Sequence, residues 1–409
     1  MTPLSILFVA YFYPPTRDTG AHRPASMVRH LRALGHDVTV LTTRAFGDDD
    51  AEDVVRAPDL QLARARLHGH QRIDSLFDAD TYSGTPHPLA KVIVPEPLAV
   101  AWAPFAARAA RRLHRDRRFD CVISTSPPES AHLVGRVVQR AGAAWVADLR
   151  DAWTFEPLRP GFPTAVQRRA DERMERRLLS AADAVVAVSR PVVEDLGDRG
   201  IADASLVPNG WDPEAIGETT PDDAADDLVD PDRMTLVYTG RFGSYGRDPR
   251  PLAQALETLA GADPAAAERL ELVIAGPLTA DETELFSGGF GAVRVRLAGS
   301  LPRERALALQ RAADALLLIA QPTRTQLPNF KLFEYLAAGP PILALAAGTE
   351  AGRIVAETRV GDRSAIVPAI RGSAWITGVT QLYVDPTDPF PEGYVLPDTW
   401  GVSGLDAQA

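Results

Sequence analysis

The sequence predicts an α/β protein built from two domains, each with a parallel sheet. Short apolar segments that suit buried strands alternate with amphipathic helical segments along most of the chain, a pattern typical of parallel sheets covered by helices. The chain has 409 residues, too many for one ordinary core, so two domains of roughly 200 residues are expected. A turn sequence, Val207-Pro208-Asn209-Gly210, separates two repeats of the pattern. We therefore predict domains at residues 1–207 and 208–377, followed by a proline-rich tail at 378–409.

The first half contains the strands and helices expected of one such domain. Strands are predicted at Ser5–Ala10, Asp37–Thr42, Cys121–Thr125, Ala144–Leu149, Ala184–Val188 and Ser205–Val207. Helices are predicted near Arg23–Leu34, Leu98–Arg115, Ser130–Ala141 and Thr164–Ala182. The segment from Asp48 to about Gly84 lacks periodicity, so we interpret it as a loop beside an acceptor.

The second half repeats the scheme after an acidic surface loop at Asp222–Asp232. Strands are predicted at Leu236–Thr239, Leu272–Ala275, Val293–Ala298, Ala315–Ile319 and Ile342–Leu345. Helices are predicted near Pro251–Leu259, Arg303–Ala312, Phe330–Ala338 and Gly352–Thr358.

Composition excludes several classes of function. An apolar fraction of 45% and a charged fraction of 24% are those of a globular protein. The net charge of −11 argues against nucleic acid as a partner, because phosphates are bound by surplus Lys and Arg. The single cysteine, Cys121, excludes an internal disulfide and a multi-cysteine metal site. No basic residue precedes the apolar run Leu4–Phe12, so no leader is indicated and we expect a cytoplasmic protein.

The segment from Pro328 to Leu343 is the most informative part of the chain. It predicts a short helix that ends at Gly339, with Lys331 and Glu334 three residues apart on one face. The N-terminus of such a helix favours a phosphate, and Glu334 can accept hydrogen bonds from two sugar hydroxyls. The spacing alone also fits a solvated ion pair on a surface helix.

This segment resembles the donor-site helix of the GT-B glycosyltransferases of family 4, in which a Glu before a Leu/Tyr-Leu/Met-Ala-x-Gly-x-Pro run holds the ribose of the sugar nucleotide. The variant Glu-Tyr-Leu-Ala-Ala-Gly, with a Lys three residues ahead, is frequent in members that build bacterial polysaccharides and glycolipids. The resemblance implies a GT-B fold, in which two Rossmann-like domains face each other across a cleft. It implies sugar transfer from a nucleotide-diphosphate sugar to an acceptor hydroxyl, with retention, without a metal and without a further cofactor.

Basic residues at the proposed donor site would stabilise the leaving diphosphate. Tyr238-Thr239-Gly240-Arg241-Phe242 resembles the family segment whose Arg contacts the diphosphate. The usual Lys some five residues later is absent, and Arg247 is the candidate substitute. Arg241 and Lys331 are therefore the predicted catalytic residues on the donor side.

Other positions that match the family pattern are predicted to contact the donor. Gly20 matches the glycine of the first loop, which lets the backbone approach the diphosphate, and Gly276 closes a strand. Leu301 follows the strand whose end cradles the base in the family. Gln326 stands eight residues before Glu334, where the family has its first Glu, and Asn329 replaces part of a Gly-Phe-Gly run.

The first domain carries the candidate acceptor site. Asp148-Leu149-Arg150-Asp151-Ala152-Trp153 resembles the Asp-x-Arg-Asp-x-Trp segment of polysaccharide-building members, and Arg150, Asp151 and Trp153 are predicted to hold the acceptor. Asp151 is the catalytic candidate on this side, although a local Asp–Arg pair that caps the loop fits equally. Ser126 ends the preceding strand where many members have histidine. His132 lies on the following helix and is interpreted as a helix residue without a catalytic role.

Three rival hypotheses remain at this stage. A sugar-nucleotide epimerase shares the double fold, and a metal-dependent GT-A transferase would use Asp48-Asp49-Asp50 as its metal motif. A non-catalytic sugar-nucleotide-binding or partner subunit is the third. The acceptor is a sugar, a lipid-linked molecule or a small molecule. Arg108, Arg111, Arg112 and Arg115 could lie against anionic lipid at the inner membrane face, or form a solvated helix face.

Overall fold

The structure, a computed structural model, describes residues 2–16, 19–47, 53–60, 94–95, 100–155, 162, 164–210, 225–243, 247–320, 330–345, 353–360 and 363–369. The chain divides into two compact units, Met1–Ala351 and Gly352–Ala409. Both parallel sheets belong to the first unit. None of the helices in the described ranges is both long and apolar enough to cross a lipid bilayer.

The first sheet has seven strands in the order β3-β2-β1-β4-β5-β6-β7, all of them parallel. The strands are β1 (Ser5–Ala10), β2 (Asp37–Thr43), β3 (Val54–Ala57), β4 (Cys121–Ser126), β5 (Ala144–Leu149), β6 (Ala184–Ala187) and β7 (Ala204–Leu206). The central strand β1 is almost entirely buried from Ile6 onward, as expected of a parallel strand covered on both faces.

Helices cover both faces of the first sheet. They are α1 (His22–Ala33), α2 (Ala103–Arg117), α3 (Ser130–Gln139), α4 (Ala165–Leu179) and α5 (Arg190–Asp198). The larger core lies under α2 to α5 and contains the buried indoles of Trp102, Trp145 and Trp153. The smaller core lies under α1, where Val28 packs on residues of β1 and β2.

The second sheet has five parallel strands in the order β10-β9-β8-β11-β12. The strands are β8 (Met234–Thr239), β9 (Leu270–Ala275), β10 (Arg294–Gly299), β11 (Ala315–Ile319) and β12 (Ile342–Leu345). Its helices are α6 (Arg250–Ala262), α7 (Pro264–Glu268), α8 (Ala280–Ser287), α9 (Arg303–Ala312) and α10 (Phe330–Ala338). Separate cores lie on its two faces, so this sheet is also a three-layer unit.

The second unit contains an antiparallel hairpin of β13 (Arg353–Val360) and β14 (Arg363–Ala369). The predicted helix near Gly352–Thr358 is therefore wrong. Glu357 and Arg359 alternate with Ala356, Thr358 and Val360, and this alternation fits a strand better than a helical turn. The proline-rich tail from 378 lies outside the described residues.

The predicted strands are confirmed with shifts of one or two residues at their ends, but some elements were missed. The edge strand β3 falls in the segment interpreted as a loop, and α5, α7 and α8 were not predicted. A four-residue edge strand has too few positions to show periodicity, and β3 forms by pairing Val54 with Val40 of β2. The first predicted domain boundary falls between β7 and β8, while the second lies outside the described residues.

Candidate functional site

The carboxyl ends of the second sheet converge on three glycines. The N–H of Gly240, after β8, donates to the carbonyl of Ala275 at 2.8 Å. The N–H of Gly276, after β9, donates to the carbonyl of Gly299 at the end of β10, also at 2.8 Å. A Cβ on Gly276 would lie 1.9 Å from the carbonyl oxygen of Gly240, so only glycine permits this approach of the two backbones. The edge where ligands bind in open parallel sheets is thus lined by backbone.

Lys331 and Glu334 of α10 lie at this edge. A Cβ on Gly240 would be 3.5 Å from Cε of Lys331, which places the lysine side chain beside the end of β8. Its Nζ donates to Oε2 of Glu334 at 2.8 Å. The Glu334 residue is only 3% exposed, so the pair is not a solvated surface ion pair.

Arg303, the first residue of α9, is a second cation on the same carboxylate and was not predicted from the sequence. Its Nη1 donates to Oε1 of Glu334 at 2.9 Å. Burial by itself would raise the pKa of Glu334, but Lys331 and then Arg303 outweigh burial and hold that pKa below its usual value. The carboxylate therefore stays charged at neutral pH. The sequence feature that could have identified this residue is an arginine two positions after Leu301, close to the end of β10.

A buried network fixes α10 to the end of β8. The backbone N–H of Thr239 donates to the hydroxyl of Tyr335 at 3.0 Å, and Nε2 of Gln310 donates to Oγ1 of Thr239 at 2.9 Å. Tyr335 is fully buried, and this burial raises the pKa of its hydroxyl to about 12. Because Tyr335 follows Glu334 directly, the anchor also sets the position of the carboxylate.

The two arginines after β8 differ in their contacts. The carbonyl of Arg241 accepts hydrogen bonds from the Tyr238 hydroxyl at 2.7 Å and from Nη1 of Arg247 at 3.0 Å. Arg247 thus supports the backbone of the loop. The guanidinium of Arg241, which is partly exposed, makes no hydrogen bond or ion pair with the part of the chain that the structure describes. It is the better placed of the two to bind an anion.

The other residues predicted to contact the donor are Leu301, Gln326 and Asn329. Leu301 is partly buried against the core beneath β8 and β9. Gln326 and Asn329 lie outside the described residues.

On the first sheet, Arg150 connects two loops at the carboxyl edge. It is 9% exposed, and its side chain donates to the carbonyls of Gly20, Ser126 and Pro127, the Nε–O distance to Ser126 being 3.1 Å. The structure therefore brings Gly20, Ser126 and Arg150 together. The guanidinium braces the loops after β1 and β4 instead of facing an acceptor.

Asp151 and Trp153 follow β5, but only Asp151 is partly accessible. Trp153 is 1% exposed, and its Nε1 donates to Oδ1 of Asp171 at 3.0 Å. Its ring stacks on that of His132 with a centroid distance of 6.0 Å. Trp153 is therefore not accessible to an acceptor, contrary to the predicted contact, because its indole packs inside the core.

His132 is also a core residue. Its Nδ1 lies 2.8 Å from the hydroxyl of Ser124, and the ring is fully buried. Burial lowers the pKa of His132 to about 4.

A cavity of about 410 Å³ is lined by residues of α4 and α5, by Thr154 and Phe155 after Trp153, and by Ile201. Arg199, which lines it, pairs with Glu175 at 2.8 Å and also with Asp195. Arg199 is thus satisfied by these two carboxylates, and we place no site there.

Comparison with known proteins indicates which family the residues of the first sheet resemble. A family described as glycosyl transferase 4-like domain matches residues 19–210. Residues 19–210 of the chain are therefore similar to a glycosyl transferase 4-like domain. This range contains Gly20, Ser126, Arg150 and Asp151, together with all of α1 to α5.

Solved structures show that the glycosyl transferase 4-like domain is part of a GT-B fold. Sucrose-phosphate synthase from Thermosynechococcus elongatus is 18% identical, covers 83% of this chain and 81% of its own, and has a TM-score of 0.53. WaaG, a glycosyltransferase involved in lipopolysaccharide biosynthesis, is 14% identical with coverages of 84% and 81% and a TM-score of 0.52. Trehalose-6-phosphate synthase from E. coli with UDP-2-fluoro glucose is 13% identical, with coverages of 84% and 85% and a TM-score of 0.54.

The segment that follows β12 resembles an unrelated protein. A family described as proline racemase matches residues 346–395. Over 45 residues the chain is 58% identical to 4-hydroxyproline 2-epimerase from Streptosporangium roseum, which is 11% of this chain and 14% of that enzyme. The chain thus spans only a small part of this relative. The match begins directly after β12 ends at Leu345, close to the division between the two compact units.

Proposed function

We propose that this protein transfers a sugar from a nucleotide-diphosphate sugar to an acceptor hydroxyl. The observation that carries the proposal is the buried, ionised carboxylate of Glu334 beside Lys331 at the carboxyl edge of the second sheet. A charged acceptor of hydrogen bonds next to a cation suits a ribose next to a diphosphate. The glycosyl transferase 4-like domain and the GT-B fold support the same class of reaction.

The donor is held by the second sheet in this proposal. Glu334 accepts hydrogen bonds from the ribose, and Leu301 lies against the base. Arg241 and Lys331 neutralise the diphosphate, where charge develops as the sugar leaves. Arg247 supports the Arg241 backbone, while Gln326 and Asn329 are proposed contacts of the donor sugar and phosphate. Gly20 and Gly276 let backbone N–H groups approach the diphosphate.

The reaction exchanges one bond at the anomeric carbon of the sugar. The bond to the diphosphate oxygen breaks, and a bond to the acceptor oxygen forms on the same face, which gives retention. The acceptor proton passes to the departing phosphate oxygen, so no protein base is needed. Asp151 orients the acceptor hydroxyl. His132 is a poor candidate for a base because Ser124 occupies its Nδ1 and the ring is buried.

The reaction is proposed to need no metal, since Arg241 and Lys331 supply the charge that a cation would otherwise supply. Transfer activity should therefore persist in EDTA. Loss of activity in chelator, restored by Mn²⁺ or Mg²⁺, would favour the GT-A alternative, whose motif Asp48–Asp50 lies outside the described residues.

The acceptor is proposed to be a sugar, a lipid-linked molecule or a small molecule, and α2 suggests contact with a membrane surface. Arg108, Arg111, Arg112 and Arg115 are exposed on this helix, in a chain with a net charge of −11. Each arginine near an anionic lipid surface contributes about 1 kcal/mol. Sedimentation with phosphatidylglycerol vesicles but not with phosphatidylcholine vesicles, abolished by salt, would support this contact.

The decisive experiment is a thermal-shift screen with UDP-, GDP- and dTDP-sugars, followed by a release assay with the best binder. A ligand at 100 times its Kd stabilises the folded state by about 2.7 kcal/mol, so a binder raises the melting temperature. Glu334→Gln should abolish most of that shift. If no sugar nucleotide raises the melting temperature, the proposed function is wrong.

A non-catalytic nucleotide-sugar-binding subunit is the second candidate. It is favoured by Gln326, an uncharged residue at the position where the family has its first Glu. Binding of a sugar nucleotide without transfer or hydrolysis, over a panel of acceptors, would support this candidate over the enzyme.

A further inference from the structure

We propose that Arg303 is a positioning residue of the donor site, which together with Lys331 orients the Glu334 carboxylate to receive both hydroxyls of a nucleotide ribose. The inference rests on the proposed function and adds to it a residue and a preference for ribonucleotides. Arg303 binds Oε1 at 2.9 Å and Lys331 binds Oε2 at 2.8 Å. Each carboxylate oxygen therefore has its own cation.

This arrangement leaves two acceptor positions of the carboxylate for a diol. A carboxylate oxygen can accept about two hydrogen bonds, and Arg303 and Lys331 each take one position on a different oxygen of Glu334. One position on each oxygen remains, and two adjacent hydroxyls of a ribose can donate to both. If Arg303 were absent, the carboxylate could rotate toward Lys331, because the last torsion of a Glu side chain has broad minima.

The helices that carry Arg303 and Glu334 are both held by hydrogen bonds to one residue, Thr239. Gln310 of α9 and Tyr335 of α10 both hydrogen-bond Thr239 at the end of β8. Arg303 lies on the same helix as Gln310, and Glu334 precedes Tyr335. The two helices are thus tied to the same strand end, so the Arg303–Glu334 contact is set by the core.

The burial of the three side chains fits a positioning role. The Glu334 side chain is 4% exposed, whereas those of Lys331 and Arg303 are 31% and 40% exposed. The cations can therefore be solvated when the carboxylate is removed, and a loss of Arg303 leaves Glu334 with one partner. Without Arg303 the pKa of Glu334 should rise, since burial opposes its ionisation and one of its two cations is lost.

The test measures the affinity for UDP, GDP and ADP by calorimetry, each beside its 2′-deoxy form, and for dTDP. The proteins are the wild type, Arg303→Met, Arg303→Lys, Glu334→Gln and the Arg303→Met/Glu334→Gln double variant. Arg305→Met is the matched control, because Arg305 lies on the same helix but pairs with Asp227. Circular dichroism melts establish that each variant is folded.

We expect Arg303→Met to weaken the preferred ribonucleotide about tenfold, the order of one charge-assisted hydrogen bond at a partly exposed site. It should also reduce the preference for ribose over 2′-deoxyribose and make binding weaken more steeply than in the wild type between pH 7 and pH 5. The diphosphate itself takes up a proton in this range and affects both proteins alike. Arg303→Lys should restore part of the affinity. The double variant should bind no more weakly than Glu334→Gln, since the two residues act through one carboxylate.

Distinct results overturn the inference and the function on which it rests. Ribonucleotide binding that Arg303→Met affects no more than Arg305→Met overturns the inference alone, as does an additive effect in the double variant. Binding of dTDP without binding of any ribonucleotide also overturns it. A folded wild type that binds none of the nucleotides overturns the proposed function as well.

Discussion

Arg23, in the first turn of α1, forms a buried ion pair with Asp148 at the end of β5. Its Nη2 lies 2.8 Å from Oδ1 of Asp148, and the side chains are 9% and 0% exposed. The same guanidinium donates to the carbonyls of Val207 at 2.9 Å and Pro208 at 3.0 Å. Burial alone would raise the pKa of Asp148, but Arg23 and then Thr125 lower it below its usual value. Arg23 thus ties the segment that leaves the first sheet to its central strands.

We expect Arg23→Met to destabilise the protein by about 3–5 kcal/mol, because it leaves Asp148 charged and unpaired in the core. The free energy of unfolding in urea measures this effect. The Arg23→Met/Asp148→Asn double variant should recover much of the loss. Arg250→Met is the control, since Arg250 forms an exposed pair with Asp248 and should barely change the melting temperature. Equal effects of the two single arginine variants would contradict the role of Arg23.

Gly276→Ala should disrupt the carboxyl edge of the second sheet. The added Cβ would lie 1.9 Å from the backbone oxygen of Gly240, so β8 and β9 must move apart at a cost of about 2 kcal/mol or more. Nucleotide affinity should fall along with stability. Gly288→Ala is the control, because a Cβ there has no neighbour within 4 Å among the described residues and the backbone is helical. A Gly276→Ala protein with wild-type stability would refute the close approach.

Arg241→Ala should reduce turnover and the affinity for a nucleoside diphosphate much more than the affinity for the monophosphate. The reason is that its guanidinium, which has no partner among the described residues, is proposed to act on the leaving diphosphate. A loss of roughly tenfold in diphosphate affinity corresponds to one charge-assisted hydrogen bond. Arg247→Ala should lower the melting temperature instead, since Arg247 supports the loop backbone. Unchanged affinities in Arg241→Ala would make it an ordinary loop residue.

Asp151→Asn should reduce sugar transfer by about ten- to a hundredfold while nucleotide-diphosphate binding stays intact, because the proposed donor contacts other than the Gly20 backbone belong to the second sheet. The loss corresponds to one charge-assisted hydrogen bond to the acceptor, about 1.5–3 kcal/mol. Asp171→Asn serves as the contrast, since the buried Asp171 accepts from Trp153 and should affect the melting temperature first. Full transfer activity in Asp151→Asn would exclude Asp151 from the site.

His132→Phe should make the free energy of unfolding depend less on pH in the acid range. The pKa of His132 is about 4 in the folded protein and about 6.5 when unperturbed, so the unfolded chain binds more protons between these values. Stability of the wild type must then fall as pH decreases from 6.5 toward 4, by up to about 3 kcal/mol from this residue. Urea unfolding at pH 7 and pH 4.5 checks it. The same pH dependence in wild type and variant would contradict a buried neutral imidazole.

Local pattern was enough to predict most elements and the contact between Lys331 and Glu334. The strands β1 and β11 are almost continuous apolar runs, and their burial on both faces follows from that composition. Lys331 and Glu334 were paired correctly because residues three apart on a helix are neighbours whatever the surroundings. Local pattern failed for β3, which exists through its pairing with β2.

What the sequence by itself determined is therefore the alternation of strands and helices, the two parallel sheets, and the Lys331–Glu334 contact. The tertiary structure alone decided that Arg303 meets Glu334 across 31 residues and that Arg23 meets Asp148 across 125. It also decided that the Trp153 indole turns into the core, although its position after β5 suggested an acceptor contact. The physical reason is the distance along the chain between the residues that interact. Helical and strand periodicity are properties of neighbouring residues, whereas the partners of a buried charge or ring depend on how separate elements pack.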